Sequence, residues 1–575
     1  MTDNRRRRTL AYVVLLIAMA AAAAIAVRTA LQRPLPLTGP APDDGYARVS
    51  GAIHVHTTLS DGSGSPSDVM AAAKAARLGF VVITDHNTLD AKPFEGYHSG
   101  VLVLVGSELS TTAGHLLALG IPDPQFRFSG DAHDVLDDIH YLGGTAFAAH
   151  PWHPRDDFRW TGWQLPGPWG IEIINLDSDW RSSSWARVGW AALAYGVNRR
   201  HGMLSAMGVP NDRLQQWDRL LAERRVPAIV GTDAHARIQI GSWSVQQPSY
   251  ESLFGIARNH VLLTSPLGGD AGSDTASIID ALRRGASYAA IDALAPADGF
   301  SFTATVDGRR LTMGDYVPPA ANVRLVAGGR VPANTTLTLF RDGGELTRGL
   351  GAIDVAMPGP GVYRVEARLP GWSVPWVITN PIYAFDEAVR REREARADWP
   401  GEATAPATTQ LLDAFDGSSR FRVGCDASSF AAPDVIDPAA GIRGSGAGRL
   451  TFRLGAGSSQ QDAACELMDR ESHDLGGRQG LVFWIKGDGV YRVWVQVRDE
   501  NAETADRTET WFASVRTSPE WRRVSVPFTA MRSTEPKSDG KLDLSKVRAI
   551  GFVLDRGGVK LGTAGTIWVD DVGVY

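Results

Sequence analysis

Short apolar runs recur along the first half of the chain, at residues 80–84, 101–105, 145–149, 171–175 and 228–231. Runs of four or five apolar residues closed by turn signals mark strands buried on both faces. Between them, 67–78 and 132–142 have helical periodicity, the first opened by Ser65-Pro66-Ser67 and stopped by Gly79. This alternation predicts a β/α barrel or a doubly wound parallel sheet over residues 48–290. Beyond it the pattern changes to period two. Strands at 300–306, 322–327 and 335–340, with turns at Asp307-Gly308 and Asp342-Gly343, predict a small β-sandwich over 291–384. A charged stretch at 387–398 predicts a helix inside a linker, 385–409, whose end at 400–409 is rich in Ala, Thr and Pro. Alternation resumes at 480–486, 491–498, 511–515, 522–527, 549–554 and 566–575, predicting a larger sandwich over 410–575.

The N-terminus adds a different pattern. Arg5–Arg8 precede an uncharged apolar run, 10–27, ended by Arg28. Such a run crosses a hydrocarbon core when its ends are included. Arginines stay on the cytoplasmic side. The expectation is a cytoplasmic 1–8, a transmembrane helix at 9–31 and a Pro-rich linker at 32–47, with the remainder exported to the periplasm or another extracytoplasmic space from an inner-membrane anchor. The alternative is a cleaved signal peptide with an Ala-x-Ala site near 20–26; both export the chain. The net charge of −6 argues against nucleic acid as a partner, since phosphate contacts need Lys and Arg. The two cysteines, Cys425 and Cys465, lie far from the histidine motifs; they are either one bridge or two buried thiols.

Chemistry concentrates at the ends of the predicted strands. His54 and His56 close the first, Asp61-Gly62 follows in the next turn, Asp85-His86 follows 80–84, and Glu108 and then His115 follow 101–105. His150 follows 145–149, and Asp233 and His235 follow 228–231. Working residues of β/α folds gather at strand C-termini, and residues two apart on a strand share a face. A lone buried histidine is usually packing, but six of only 13 histidines fall in this ordered series. Imidazole and carboxylate without thiolate suit several divalent ions, Zn, Mn or Fe. His133 and His140 read as surface or packing residues, and His98, His201, His260 and His473 as lacking supporting neighbours.

His54-x-His56, Ser60-Asp61-Gly62, Thr84-Asp85-His86-Asn87, Glu108, His115, His150-Pro151 and Asp233-Ala234-His235 resemble the signature series of the PHP (polymerase and histidinol phosphatase) family over residues 50–265. The resemblance implies an α/β fold, a distorted seven-stranded β/α barrel. It also implies a first metal on His54, His56, Glu108 and Asp233, a second on Asp61, His86 and His235, and a third on Glu108, His115 and His150, with Glu108 bridging. Asp85 would orient a ligand. The segments 279–290 and Thr379–Tyr383 resemble an exported branch, in which some relatives act on non-phosphate esters or carbamates. The implied activity is hydrolysis of a small-molecule ester, foremost a phosphoester, by a metal-activated hydroxide. His153 is the candidate proton donor and Arg155 a candidate phosphate clamp.

Eight tryptophans between Trp152 and Trp217 read as a lid, a packing layer or a bilayer-interface layer. Residues 475–487 and 567–572 resemble galactose-binding-like jelly rolls of carbohydrate-binding modules, which implies a carbohydrate ligand; acidic strand ends there would accommodate a structural Ca²⁺. A non-catalytic carbohydrate- or surface-binding protein is the remaining alternative.

Overall fold

The computed structural model describes residues 2–122, 128–240, 243–320, 322–399, 404–455 and 463–575. One unit is built from residues within 1–124 and 131–400 and another from residues within 125–130 and 401–575. In the first, α1 (Thr2–Leu31) precedes strand β1 (Ala47–Val55). α2 (Pro66–Ala75) starts at Ser65, whose hydroxyl accepts from Asp68 N while the Asp68 carboxylate accepts from Ser65 N. Then come β2 (Phe80–Ile83), β3 (Val101–Val105), β4 (Ser107–Thr111), β5 (Gly114–Leu119), α3 (Ala132–Tyr141), β6 (Thr145–Ala148) and β7 (Trp169–Asn175). Four consecutive helices follow: α4 (Leu176–Arg181), α5 (Trp185–Val197), α6 (Arg199–Ala206) and α7 (Asn211–Glu223). β8 (Ala228–Gly231), α8 (Tyr250–Phe254), β9 (Arg258–Leu263), α9 (Ala271–Arg284) and β10 (Ser287–Ala290) complete this part.

β1, β2 and β3 pair in parallel, and β6, β7 and β8 do so in a second sheet. Backbone bonds join the two sheets at both edges. Thr232 N and Ala234 N donate to Ile53 O and His54 O, while Glu108 N and Asn87 N donate to Thr84 O and Glu108 O. The result is a closed ring of strands filled by Ile53, Phe80, Leu102, Leu117, Phe147 and Ile229. One expectation is corrected here: the sheet is not wholly parallel, because β5 runs antiparallel to both β4 and β6. His115 therefore sits at the start of a strand, and reversal of that strand brings its N-terminal end beside the C-terminal ends of its neighbours.

The predicted small sandwich is not a separate module. One of its sheets is a four-stranded layer around Phe300–Val306. The other continues the ring, since β10 pairs with Val377–Thr379 through Tyr288↔Thr379. The linker helix is present as Glu387–Ala397; of the Ala/Thr/Pro-rich boundary, residues 400–403 lie outside the described residues. The transmembrane expectation gains no support: residues 2–31 are helical, but among the described residues no helix is long and apolar enough to cross a membrane.

The second unit is a β-sandwich of antiparallel sheets, seven- and five-stranded. Phe415, Phe421, Leu450, Phe483, Val495, Phe552 and Ile567 fill the space between them. Cys425 and Cys465 pair across adjacent strands and are joined by a disulfide.

Candidate metal centre

All nine residues expected at the metals are brought together at one end of the ring. Glu108 is the hub. Its Oε2 lies 3.0 Å from His54 Nε2, 3.1 Å from His56 Nε2 and 3.3 Å from His86 Nδ1, and its Oε1 lies 2.7 Å from both His115 Nδ1 and His150 Nε2. Asp233 Oδ1 stands 3.4 Å from His54, His56 and His235. Asp61, half exposed, stands 3.1 Å from His235 Nε2, 3.7 Å from His86 and 3.8 Å from His56 Nδ1. Within this cluster three groups have donor atoms close enough to share an ion: His54, His56, Glu108 and Asp233; His56, Asp61, His86 and His235; and His86, Glu108 and His115; a fourth group, Asp131, His133 and Asp134, lies apart at the start of α3. The third differs from the expected trio by having His86 in place of His150.

The backbone is strained where it delivers these groups. His54, His150 and Asp233 all take positive φ, at 69°, 31° and 49°, and such conformations at non-glycine residues cost roughly 1–3 kcal/mol each. At His54 the pairing of β1 with β2 slips register between Ala52 and Val55. The two histidines of the pair converge through this bulge rather than through regular alternation.

Electrostatics and hydrogen bonding set the protonation. Burial opposes charge on Glu108, but His54, with hydrogen bonds from His115 and His150, holds its pKa well below the usual range. Burial likewise opposes charge on His54, yet Asp233, Glu172 and Glu108 raise its pKa. Against burial, Asp61 is lowered to about 2 by the hydrogen bond and charge of His235, which is itself raised to about 9. Both ring nitrogens of His56 and Nδ1 of His150 are buried without a well-formed hydrogen bond among the described residues. An unmatched buried donor or acceptor costs about 1–3 kcal/mol. The nitrogens of His56 face carboxylates of poor hydrogen-bond geometry, as donor atoms do around a cation. The set fits hard to borderline divalent ions.

A second layer positions the first. Asp85 accepts from Thr57 N, Thr57 Oγ1 and Ser60 Oγ, fixing the turn that carries Asp61. Tyr250 donates to His56 O and accepts from Gly64 N. Glu172 was not among the expected site residues. It accepts from Asn175 Nδ2 and His150 N and lies 2.7 Å from His54 Nδ1. Its sequence signal was there to read: a lone carboxylate inside the apolar strand β7. A Cβ on Gly231 would sit 1.9 Å from Glu172 Oε1, so this position excludes any larger residue. Tyr250 gave no comparable signal.

His153 is buried beside His150, ring centroids 5.3 Å apart. Its Nδ1 accepts from Arg155 N, and burial followed by the charge of His150 lowers its pKa to about 4. Arg155 is exposed and stacks over Phe158, 4.1 Å from the ring centroid, not among the clustered groups. Arg181 closes α4, pairs with Asp177 and stacks on Trp180. Burial opposes its charge, but Asp177 and Asp233 raise its pKa. His260 and His473, read as lacking partners, have them: Asp292 at 2.9 Å and Asp469 at 3.0 Å. Among the described residues, no three acidic or histidine side chains of the C-terminal unit converge where a calcium ion was expected.

The carbohydrate binding domain (family 11) model matches residues 398–575. A family 11 carbohydrate-binding module from Clostridium thermocellum, solved with a β-1,3-1,4-mixed-linked tetrasaccharide, is 15% identical at a TM-score of 0.25 and covers 30% of this chain and 96% of its own. A two-domain protein from Bacteroides vulgatus, described as containing a predicted PHP-like metal-dependent phosphoesterase, is 16% identical at a TM-score of 0.28, covering 60% of this chain and 99% of its own. The uncharacterized protein MJ1587 of Methanocaldococcus jannaschii is 30% identical over 117 residues, 18% of this chain and 67% of that protein. By that match the chain belongs to the same family as this archaeal protein.

Proposed function

We propose that the chain is a metal-dependent phosphoesterase of the PHP type. The observation that carries this reading is the shared carboxylate of Glu108, which meets five histidines on its two oxygens. His54, His56, Glu108 and Asp233 would hold one ion, Asp61, His86 and His235 a second, and Glu108, His115 and His150 a third, with His86 at its border. When bound, such ions supply Lewis acidity and a water that ionises near neutral pH. The chain's own residues do the rest. Glu172 and Asp85 keep His54 and the Asp61 turn in place. His153, held neutral, offers an N–H to a substrate oxygen instead of a labile proton.

For the C-terminal domain we propose carbohydrate binding. The family 11 match supports it. We further propose export, with the chain attached to the inner membrane near α1. The Cys425–Cys465 bridge supports an oxidising compartment.

The test of the activity is hydrolysis of p-nitrophenyl phosphate, its diester and p-nitrophenyl acetate by the Mn- or Zn-loaded chain beside a His54→Ala/His56→Ala variant. Phosphoester turnover absent from the variant is expected. Turnover confined to acetate would replace this reading with a neutral-ester hydrolase.

A further inference from the structure

α5 is amphipathic in the wrong sense for a helix that only packs on its own protein. It buries small residues, Ala191 and Ala194. Gly202 of α6 comes so close that a Cβ there would meet Tyr195 N at 2.4 Å. Its large apolar side chains point outward: Trp185 is 90% exposed, Leu193 72%, Val197 49% and Trp190 41%. With Ala186, Gly189 and Gly196, also exposed, they cover one continuous face. Water is a poor solvent for such a face, and its occupant has to be apolar.

Two observations identify that occupant. The first is position. Asn198, directly after α5, donates from Nδ2 to Thr29 O at 3.0 Å and Gln32 O at 3.1 Å, and α5 packs on α1. The uncharged run of α1 ends at Val27-Arg28, so the C-terminal end of α5 lies at the level where that run ends. The second is charge. From Trp180 to Asn211 the chain carries Arg181, Arg187, Arg199 and Arg200 and no acidic residue. Arg200 and Arg33 line one cleft beside Trp372. An apolar face with tryptophan and an arginine rim matches the headgroup–acyl boundary of an anionic leaflet. At about 1.5 Å per residue α5 is near 20 Å long, too short to span.

We infer that α5 lies in the interface of an anionic lipid bilayer and seats the ring on the membrane. The inference leans on the proposed membrane attachment near α1, and the experiment separates the two. The native cysteines are bridged, so Leu16→Cys, Leu193→Cys and Leu350→Cys variants of the full chain each take a single NBD probe. The labelled chains are reconstituted in phosphatidylcholine vesicles with and without phosphatidylglycerol, containing doxyl lipid. Blue-shifted, quenched emission at 16 and 193 but not at 350, stronger at 193 with phosphatidylglycerol, is expected. Quenching at 16 without 193 overturns the seat of α5 and leaves the anchor standing. Quenching at 193 without 16 upholds the seat and removes the anchor. Quenching at neither overturns both. A blue shift at 193 that grows with protein concentration in the absence of lipid assigns the face to a second copy instead. Quenching at 193 that is equal without phosphatidylglycerol overturns the anionic assignment.

Discussion

The ring and the C-terminal sandwich fill their interiors in opposite ways. The packing between the two sheets of the sandwich is apolar, with aromatic contacts such as Phe483 edge to face on Phe552 at 4.9 Å, and its buried carboxylates, among them Asp469, Asp499, Glu509 and Asp570, are not gathered into one cluster of possible ion ligands among the described residues. One end of the ring buries His54, His56, Asp85, Glu108, His115, His150, Glu172 and Asp233 together. Burying charge is unfavourable unless each group is matched, and here the matching is incomplete at His56. The sandwich is organised for its own stability. The ring end stores strain and unmatched donors that a bound cation would relieve. Variants in the two regions should therefore fail in different ways.

The largest effect on stability belongs to the sandwich. Phe483→Ala should lower the denaturation free energy of the C-terminal unit by about 3–5 kcal/mol, and chemical denaturation should show the metal content of the ring unchanged. Removing the bridge with Cys425→Ala/Cys465→Ala should cost about 2–4 kcal/mol in the same unit, read as a lower thermal midpoint there alone. In the ring, Glu172→Gln should leave folding nearly intact and weaken metal binding by about 10–100-fold, measured by competition with a chelating dye; equal weakening of stability and affinity would blur the contrast drawn here. The smallest effect is expected at Asp44, where burial is outweighed by Arg48 and Ser301 and the pKa lies below its ordinary value. A lowered carboxylate pKa contributes stability above the unfolded value that is lost as pH falls through the folded one. The stability gap between the native chain and Asp44→Asn, about 1–2 kcal/mol at neutral pH, should therefore shrink as pH falls below about 4.

The same contrast explains what could be read from the sequence. Period-two alternation located the sandwich strands from Gly480 onward, because each shows one face to one core; the earlier strands, such as Ala447–Arg453 and Ala464–Asp469, were not read. The apolar runs and the residues behind them located the strands that carry most of the cluster and all nine clustered side chains, but not the strands Ser107–Thr111, Gly114–Leu119 and Arg258–Leu263. Three features stayed hidden. The bulge at His54 depends on pairing with β2, which no local pattern encodes. The pairing of Tyr288 with Thr379, which fuses the small sandwich to the ring, joins residues far apart in the chain. The outward face of α5 resembled an ordinary helical layer, because a sequence gives the direction of a hydrophobic face only relative to its own helix.

Metal analysis of the purified full chain, native beside Glu108→Ala, tests the central claim most directly. After loading with Mn or Zn and removal of excess ion, elemental mass spectrometry should find two or three ions per native chain, as the three donor groups provide, and at most one in the variant. A native chain that retains no ion, or a folded variant that retains as many as the native chain, would contradict a metal centre organised around Glu108.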